Sequence, residues 1–421
     1  MSDEALPEIP GNESEGFVEV LEAERELSNA KVQLESLLNA TDALESLISH
    51  LDTNDVVSDG HRAAVTVSFE NLLGNTGLGV NDILPALQAH EYGTVSTESL
   101  KDRLKEIWKR LVAGILSVLR FLKTFWKSIA TYRGRLRITA NQLAKLGTVA
   151  RYATVKQPQV DLGIEIKSLV LGGSVVSDPD ALIRSISNAL DQYRVVTDMY
   201  TSGMLEVGKQ FERALTDGGS GSDKLAQVCG IFTQMPVDAI ASKLSAMVYR
   251  DPRFGRRLTL TAPPIIGGWS LFFLTLEQEQ RNAGATDLLG YAQAIRTTGV
   301  RFALTNVNVS NITSGAVKTA NGQQVSVMAK RVIEILDCID AQERAVGVNR
   351  IEAQIKNVLR AGERYQANAI SNDGSGADES VLRFVRNYAS WAIGPVDQMT
   401  TNLLTVSRNL LVYGRKSLNA R

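Results

Sequence analysis

A long run of apolar residues at helical spacing constrains the fold of this chain more than any other feature. Within 99–130 the apolar positions recur every three or four residues, which is the period of an amphipathic helix. The stripe consists of Leu100, Leu104, Ile107, Leu111, Ile115, Leu119, Leu122, Trp126 and Ile129, widened by Trp108, Val112, Leu116 and Phe125. Its most apolar part, 111–119, is far shorter than the roughly 20 residues that cross a bilayer. We therefore predict a helix over 99–130 that packs its stripe against a second predicted helix at 180–215.

The polar positions of this predicted helix are strongly basic. They carry Lys101, Lys105, Lys109, Arg110, Lys123 and Lys127. Because such cations attract phosphate groups and anionic lipid, we predict that these six side chains bind an anionic partner. The range 99–157 holds 14 Lys and Arg against Asp102 and Glu106, so that much of the positive charge of the chain is concentrated there.

The net charge of -1 hides two opposite regions. Residues 1–98 hold 19 Asp and Glu against three cations, a net charge of -16, whereas 99–421 hold 42 Lys and Arg against 27 Asp and Glu, a net charge of +15. This asymmetry indicates a contact with nucleic acid or membrane, or an acidic leader that masks a basic body. An acidic solvated region beside an ordinary basic domain accounts for the charges equally well.

The periodicity of the whole chain predicts a mainly α fold, with long helices and a small β-sheet insertion (α+β) in the second half. Helices are expected near 18–51, 63–73, 99–130, 180–215, 325–340, 350–366 and 381–413. The last helix should kink at Gly394-Pro395. The segment 258–276 is uncharged, but its central Pro263, Pro264, Gly267 and Gly268 favour two strands and a turn over a membrane span. A small sheet is therefore expected between 256 and 310.

Composition shifts divide the chain into four predicted parts. They are an acidic, partly disordered, propeptide-like region at 1–98, a basic helical domain at 99–216, a small α+β domain at 224–320 and a C-terminal helical region at 321–421. Disorder is expected up to about residue 16, and the glycine-rich strings at 217–223 and 371–380 are predicted linkers.

Several kinds of chemistry are disfavoured by what the sequence lacks. The three histidines are His50, His61 and His90, so the rest of the chain has no imidazole for general base catalysis or metal binding. Cys229 and Cys338 are too few for a disulfide framework or a thiolate zinc site. We predict a non-enzymatic protein with no catalytic residues, no metal and no cofactor. The acidic start, which lacks the form of a signal peptide, predicts a cytosolic protein where it is made.

Two small-x-Glu strings lie where the charge changes sign. They are Ala89-His90-Glu91 and Ser96-Thr97-Glu98, and the second directly precedes the basic amphipathic helix. This order, followed by long helices, a small β segment and a final basic helix, resembles the internal head (inner body) proteins of large tailed bacteriophages. The resemblance covers most of the chain in layout and is most specific over 96–130.

The resemblance implies a structural protein of the capsid interior. Its N-terminal propeptide would be removed by a prohead protease after a small-x-Glu site, with Glu98 the first candidate for the P1 residue and Glu91 the second. Its further partners would be the capsid or other internal head proteins and packaged DNA, bound without sequence preference. It would occupy the host cytoplasm during assembly and, if ejected with the DNA, again after infection.

A rival hypothesis belongs to a different class of function. The helix at 99–130 could serve a membrane-active toxin or an ejected channel component, with a membrane as the anionic partner. Binding driven by phosphates should weaken steeply with salt, whereas insertion driven by buried Trp and Leu should persist.

Overall fold

The computed structural model describes residues 12–53, 97–249, 258–283, 286–304, 312, 315–345, 347–371 and 376–420. Its helices are α1 Asn12–Thr53, α2 Thr97–Val149, α3 Pro179–Val195, α4 Ser202–Thr216, α5 Gly221–Phe232, α6 Val237–Lys243, α7 Gln278–Ala283, α8 Leu288–Arg296, α9 Gly322–Ala345, α10 Val348–Ser371, α11 Gly376–Ile393 and α12 Val396–Asn419. Its strands are β1 Gln159–Asp161, β2 Val170–Leu171, β3 Ser174–Val175, β4 Met247–Val248, β5 Thr259–Thr261, β6 Trp269–Leu274, β7 Gly299–Leu304 and β8 Ala316–Lys318. The predicted mainly α fold with a small β insertion is confirmed.

The largest sheet is antiparallel and has the strand order β4-β5-β6-β7. Strands β5 and β6 come from the uncharged segment 258–276, which therefore forms two strands and a turn, as predicted. Leu260 lies opposite Phe273, which in turn lies opposite Val300 of β7. Two further antiparallel pairs, β1-β8 and β2-β3, were not predicted. Each has only two or three residues per strand, too few for an alternating pattern to show.

Helix α1 begins earlier than predicted and contributes to the core. It starts at Asn12 rather than residue 18, so the predicted disorder up to residue 16 is wrong for 12–16, while 1–11 and the predicted helix at 63–73 lie outside the described residues. Buried apolar residues recur every three or four positions along α1: Phe17, Val20, Ala23, Leu27, Ala30, Leu34 and Leu38.

Helix α2 has 53 residues and a length of about 80 Å at 1.5 Å per residue. The prediction that it ends at residue 130 is wrong, because buried residues continue along the same stripe at Leu136, Ala140 and Leu143. Its main packing partners are α1 and α9 rather than the helices at 180–215. An apolar stripe shows that a face is buried but does not identify the partner.

The backbones of α2 and α9 approach closely near the end of α2. A Cβ atom at Gly147 would lie 2.6 Å from the carbonyl oxygen of Gly322, and one at Gly322 would lie 2.5 Å from that of Gly147. The hydroxyls of Thr148 and Ser326 are 3.1 Å apart in the same contact. Only glycine permits this crossing, so the two residues fix where the helices meet.

Two of the predicted helices are interrupted in the structure. They are the helix at 180–215 and the last helix, for which a kink at Gly394-Pro395 was predicted. A π turn, Val196–Thr201, joins α3 to α4. Gly394 separates α11 from α12 with a φ of 56°, and a Cβ there would lie 2.4 Å from the ring of Tyr200. The kink is therefore a break, because glycine is needed both for the left-handed backbone and for contact with the π turn.

The other C-terminal helices are longer than predicted. Helices α9 and α10 extend beyond 325–340 and 350–366, and α11 begins at Gly376, within the predicted linker at 371–380. One connected hydrophobic cluster includes residues from Phe17 to Ala420. The four-part division of the chain stays a prediction.

Replacement of Leu27 tests whether α1 belongs to this core. The side chain of Leu27 is fully buried, so Leu27→Ala should lower the free energy of unfolding by about 2–5 kcal/mol. Val32, on the same helix, is 57% exposed, and Val32→Ala should change it by about 0.5 kcal/mol or less. Urea unfolding of both variants measures the difference. Equal effects would contradict the burial of α1.

Candidate functional site

Four cations lie on one solvent-exposed face of α2. They are Lys109, Arg120, Lys127 and Lys145, and at about 100° per residue their directions around the helix axis agree within about 20°. They span about 54 Å along the axis. We call this the basic face. Between residues 107 and 149 the sequence contains no Asp or Glu, so this part of the helix supplies no carboxylate to neutralise these charges.

The surroundings of the basic face do not neutralise it either. Within the part of the chain that the structure describes, no carboxylate forms an ion pair with any of its four cations. The exposed residues beside them include Leu116 and Ile138, which are apolar. The basic face is therefore a stripe of available positive charge.

Lys123 has a partner within the protein. Its Nζ lies 2.6 Å from Oε2 of Glu352 on α10, whose other carboxylate oxygen lies 2.7 Å from Nζ of Lys356. The hydrogen bond from Lys123 lowers the pKa of Glu352, and Lys356 lowers it further. Lys123 thus joins α2 to α10.

Two arginines of α2 also serve the fold. Arg133 is buried and pairs with Asp340 and Glu343 of α9, at 3.0 and 2.5 Å. Arg137 pairs with Asp337 at 2.5 Å and with Asp340 at 2.7 Å. These contacts join α2 to α9 along a side other than the basic face. The positive charge of α2 is therefore divided between internal ion pairs and solvent.

The predicted site residues are distributed unevenly. Lys109 and Lys127 lie on the basic face, whereas Lys123 is paired. Lys101, Lys105 and Arg110 belong to α2, but their side chains lie outside the described residues. The sequence analysis missed Arg120 and Lys145. Arg120 lies within the predicted helix at 99–130, and its spacing of 11 residues from Lys109 was the signal that placed it on the same face. Lys145, 36 residues from Lys109, could be found only if the helix was extended beyond 130.

The two candidate cleavage residues lie near the start of α2. Glu98 is the second residue of the helix, and Glu91 lies outside the described residues. Helix ends open more readily than helix centres.

From Leu111 onward, the part whose side chains the structure describes, the apolar stripe of α2 is buried in the protein core. Leu111, Ile115, Leu119, Leu122 and Trp126 are all buried, while Leu116 is 39% exposed. Among the described helices, none combines the length and hydropathy that a membrane span requires. The rival membrane hypothesis would require this stripe to leave the core.

Comparison with known families gives one match. The sequence model of the phiKZ-like phage internal head proteins matches residues 13–416. The chain belongs to this family. An internal head protein has its place inside the capsid of the virion, and this family indicates a structural protein rather than an enzyme. The match to the internal head proteins includes nearly all of α1, so that helix is a shared part of the family's sequence. No curated protein and no solved structure matches the chain.

The pairing of Lys123 generates a pH-dependent prediction. Because the pKa of Glu352 is lowered in the folded state, its ionised form stabilises the protein above its ordinary pKa and that contribution is lost as the pH falls. Lys123→Gln should therefore lower the free energy of unfolding by about 0.5–1 kcal/mol at neutral pH, with a smaller loss near about pH 3.5. Lys127→Gln is the matched control and should leave it unchanged at both. Urea unfolding at the two pH values would contradict the pairing if both variants behaved alike.

Proposed function

We propose that this internal head protein is cut by the prohead protease after Glu98, in the first turn of α2, or after Glu91, before α2, and is packaged with DNA, whose phosphates it contacts through the basic face. The observation that carries the proposal is the basic face, whose four cations form no ion pair with any carboxylate that the structure describes, in a family of the capsid interior. There, packaged DNA presents a dense array of phosphates.

The geometry of the basic face supports binding without sequence preference. Its cations are spread over about 54 Å of a straight element, a length suited to successive phosphates rather than to one small anion. Phosphate contacts position a protein on DNA but carry no base information. Two aromatic side chains of α2, Phe125 and Trp126, are buried in the core and therefore cannot stack on bases.

Processing would occur after Glu98 or Glu91. A cut after Glu98 requires the first turn of α2 to open and places a new positive amino group at the helix N-terminus, where positive charge is unfavourable. A cut after Glu91 leaves the helix intact. Capsid or other internal head proteins are the further partners that this proposal includes.

The first experiment measures the N-terminus of the protein in mature virions. Mass spectrometry should find a chain that begins at Ser99 or Tyr92, and Glu98→Gln or Glu91→Gln should slow the corresponding cut because the protease reads the carboxylate. A chain that still begins near Met1 in mature particles would refute processing.

The second experiment measures DNA binding by full-length protein as a function of salt. Replacement of Lys109, Arg120 and Lys127 by Gln should reduce the slope of log affinity against log salt by roughly 2.7, since each lost phosphate contact removes about 0.9. The matched control replaces Lys243, Lys330 and Arg360, three exposed cations elsewhere, by Gln. Equal slopes for the two triple variants would show that the basic face is not the contact.

A further inference from the structure

The leader of this chain contains a helix that is bound to the body as firmly as an ordinary core element. We propose that α1 stays bound after the maturation cut, as a non-covalent subunit of the processed protein. The inference rests on the proposed cut after Glu98 or Glu91. It concerns what happens to the interface afterwards.

The apolar face of α1 is the first reason. Seven of its residues are buried, and they pack chiefly on α2, with further contacts to α11 and α12. We call the surface of α2, α11 and α12 that these residues cover the α1-binding surface. If α1 dissociated, apolar side chains of α2 would be exposed along one side of the body. An exposed apolar area of this kind favours rebinding or aggregation.

Polar contacts fix the position of α1 on this surface. Nζ of Lys31 lies 2.7 Å from Oδ2 of Asp397, near the N-terminus of α12, and Asp397 is only 4% exposed. The ion pair therefore joins α1 directly to α12, and departure of α1 would separate it. Glu35 adds an ion pair with Arg301 of β7 at 2.8 Å.

The N-terminal end of α1 is held by aromatic contacts. The ring of Phe17 lies 5.4 Å from that of Tyr132 on α2, and the guanidinium of Arg408 on α12 lies 4.9 Å from the centre of the Phe17 ring. The contacts of α1 therefore involve four different elements, α2, α11, α12 and β7, and extend from Phe17 to Leu38. None of them depends on the peptide bonds after Glu91 and Glu98.

Retention of α1 changes what the cut can do electrostatically. Residues 12–53 hold ten Asp and Glu against Arg25 and Lys31, a net charge of -8, which is half of the leader's -16. Because α1 is covalently part of the fragment 1–98, a protein that is cut once after Glu98 and keeps α1 keeps the whole charge of -16. The change from -1 to +15 that follows from loss of residues 1–98 would require α1 to dissociate as well. The cut would break the covalent connection between α1 and the body, while α1 stays bound to the body.

The experiment separates the interface from the maturation protease. A recognition sequence for a protease of foreign specificity replaces residues 62–68 in one full-length variant and residues 78–84 in a second. Two variants are used so that the result does not depend on a single replacement that disturbs the protein. After complete cutting, gel filtration under native conditions should recover the N-terminal fragment with the body, and urea should release it. A fragment that elutes separately from a soluble, folded body would overturn the proposal.

A matched pair of substitutions in the cut protein tests the named contact. Lys31→Ala should increase the dissociation constant of the fragment on the order of 10- to 100-fold, because it leaves Asp397 buried without its cation. Arg25→Ala removes the same charge from an exposed position of α1 and should change it less than about threefold. Equal changes would overturn the assigned contact. Because the cut is foreign, these results do not depend on processing, which the N-terminus of the virion protein decides separately.

Discussion

The burial of the apolar stripe of α2 between α1 and α9 is the interaction on which the rest of the structure depends. No other described helix approaches the 53 residues of α2 except α1, which has 42. Arg133 and Arg137 are paired with three carboxylates of α9, and the glycine crossing at Gly147 and Gly322 fixes the position of α9 along α2. The face of α2 that remains in solvent is the basic face.

This arrangement explains why a helix can be both a core element and a surface for an anionic partner. A helix of about 80 Å has enough circumference and length for an apolar side, a side that forms ion pairs and a side in solvent. The sequence marks the first of these clearly, through apolar residues at intervals of three and four. It does not distinguish the side that forms ion pairs from the side in solvent, because the sequence treats Lys123 and Lys127 alike and only the fold brings Glu352 beside Lys123. Positive charge counted along the sequence therefore overestimates the charge that is available to a partner.

The sequence predicted the existence of the helices better than their ends and partners. The interruption at Gly394 and the two strands of 258–276 could be predicted from the local sequence, because glycine and proline interrupt the apolar pattern at both places. The pairing of β1 with β8 could not be predicted, since Val160 lies opposite Val317, more than 150 residues away in the sequence, and each strand is only three residues long. For the site, Lys109 and Lys127 were found from local spacing, and Arg120 was missed although it lies in the predicted helix, whereas Lys145 required the correct length of α2. The place of α1 in the core was not predicted, because the acidic composition of 1–98 suggested a removable leader. The apolar spacing within 18–51 indicated a helix. The structure shows that this helix is packed into the core.

The central claim is that α1, although it belongs to the acidic N-terminal region 1–98, is part of the same folded core as α2 and α9. Hydrogen exchange of the intact protein tests this most directly, because amides of a packed helix exchange only when the helix opens. The account predicts that the amides from Phe17 to Leu38 are protected to a degree comparable with those of the buried parts of α2 and α9. Exchange of these amides at the rate of an unstructured peptide, while α2 and α9 stay protected, would contradict it.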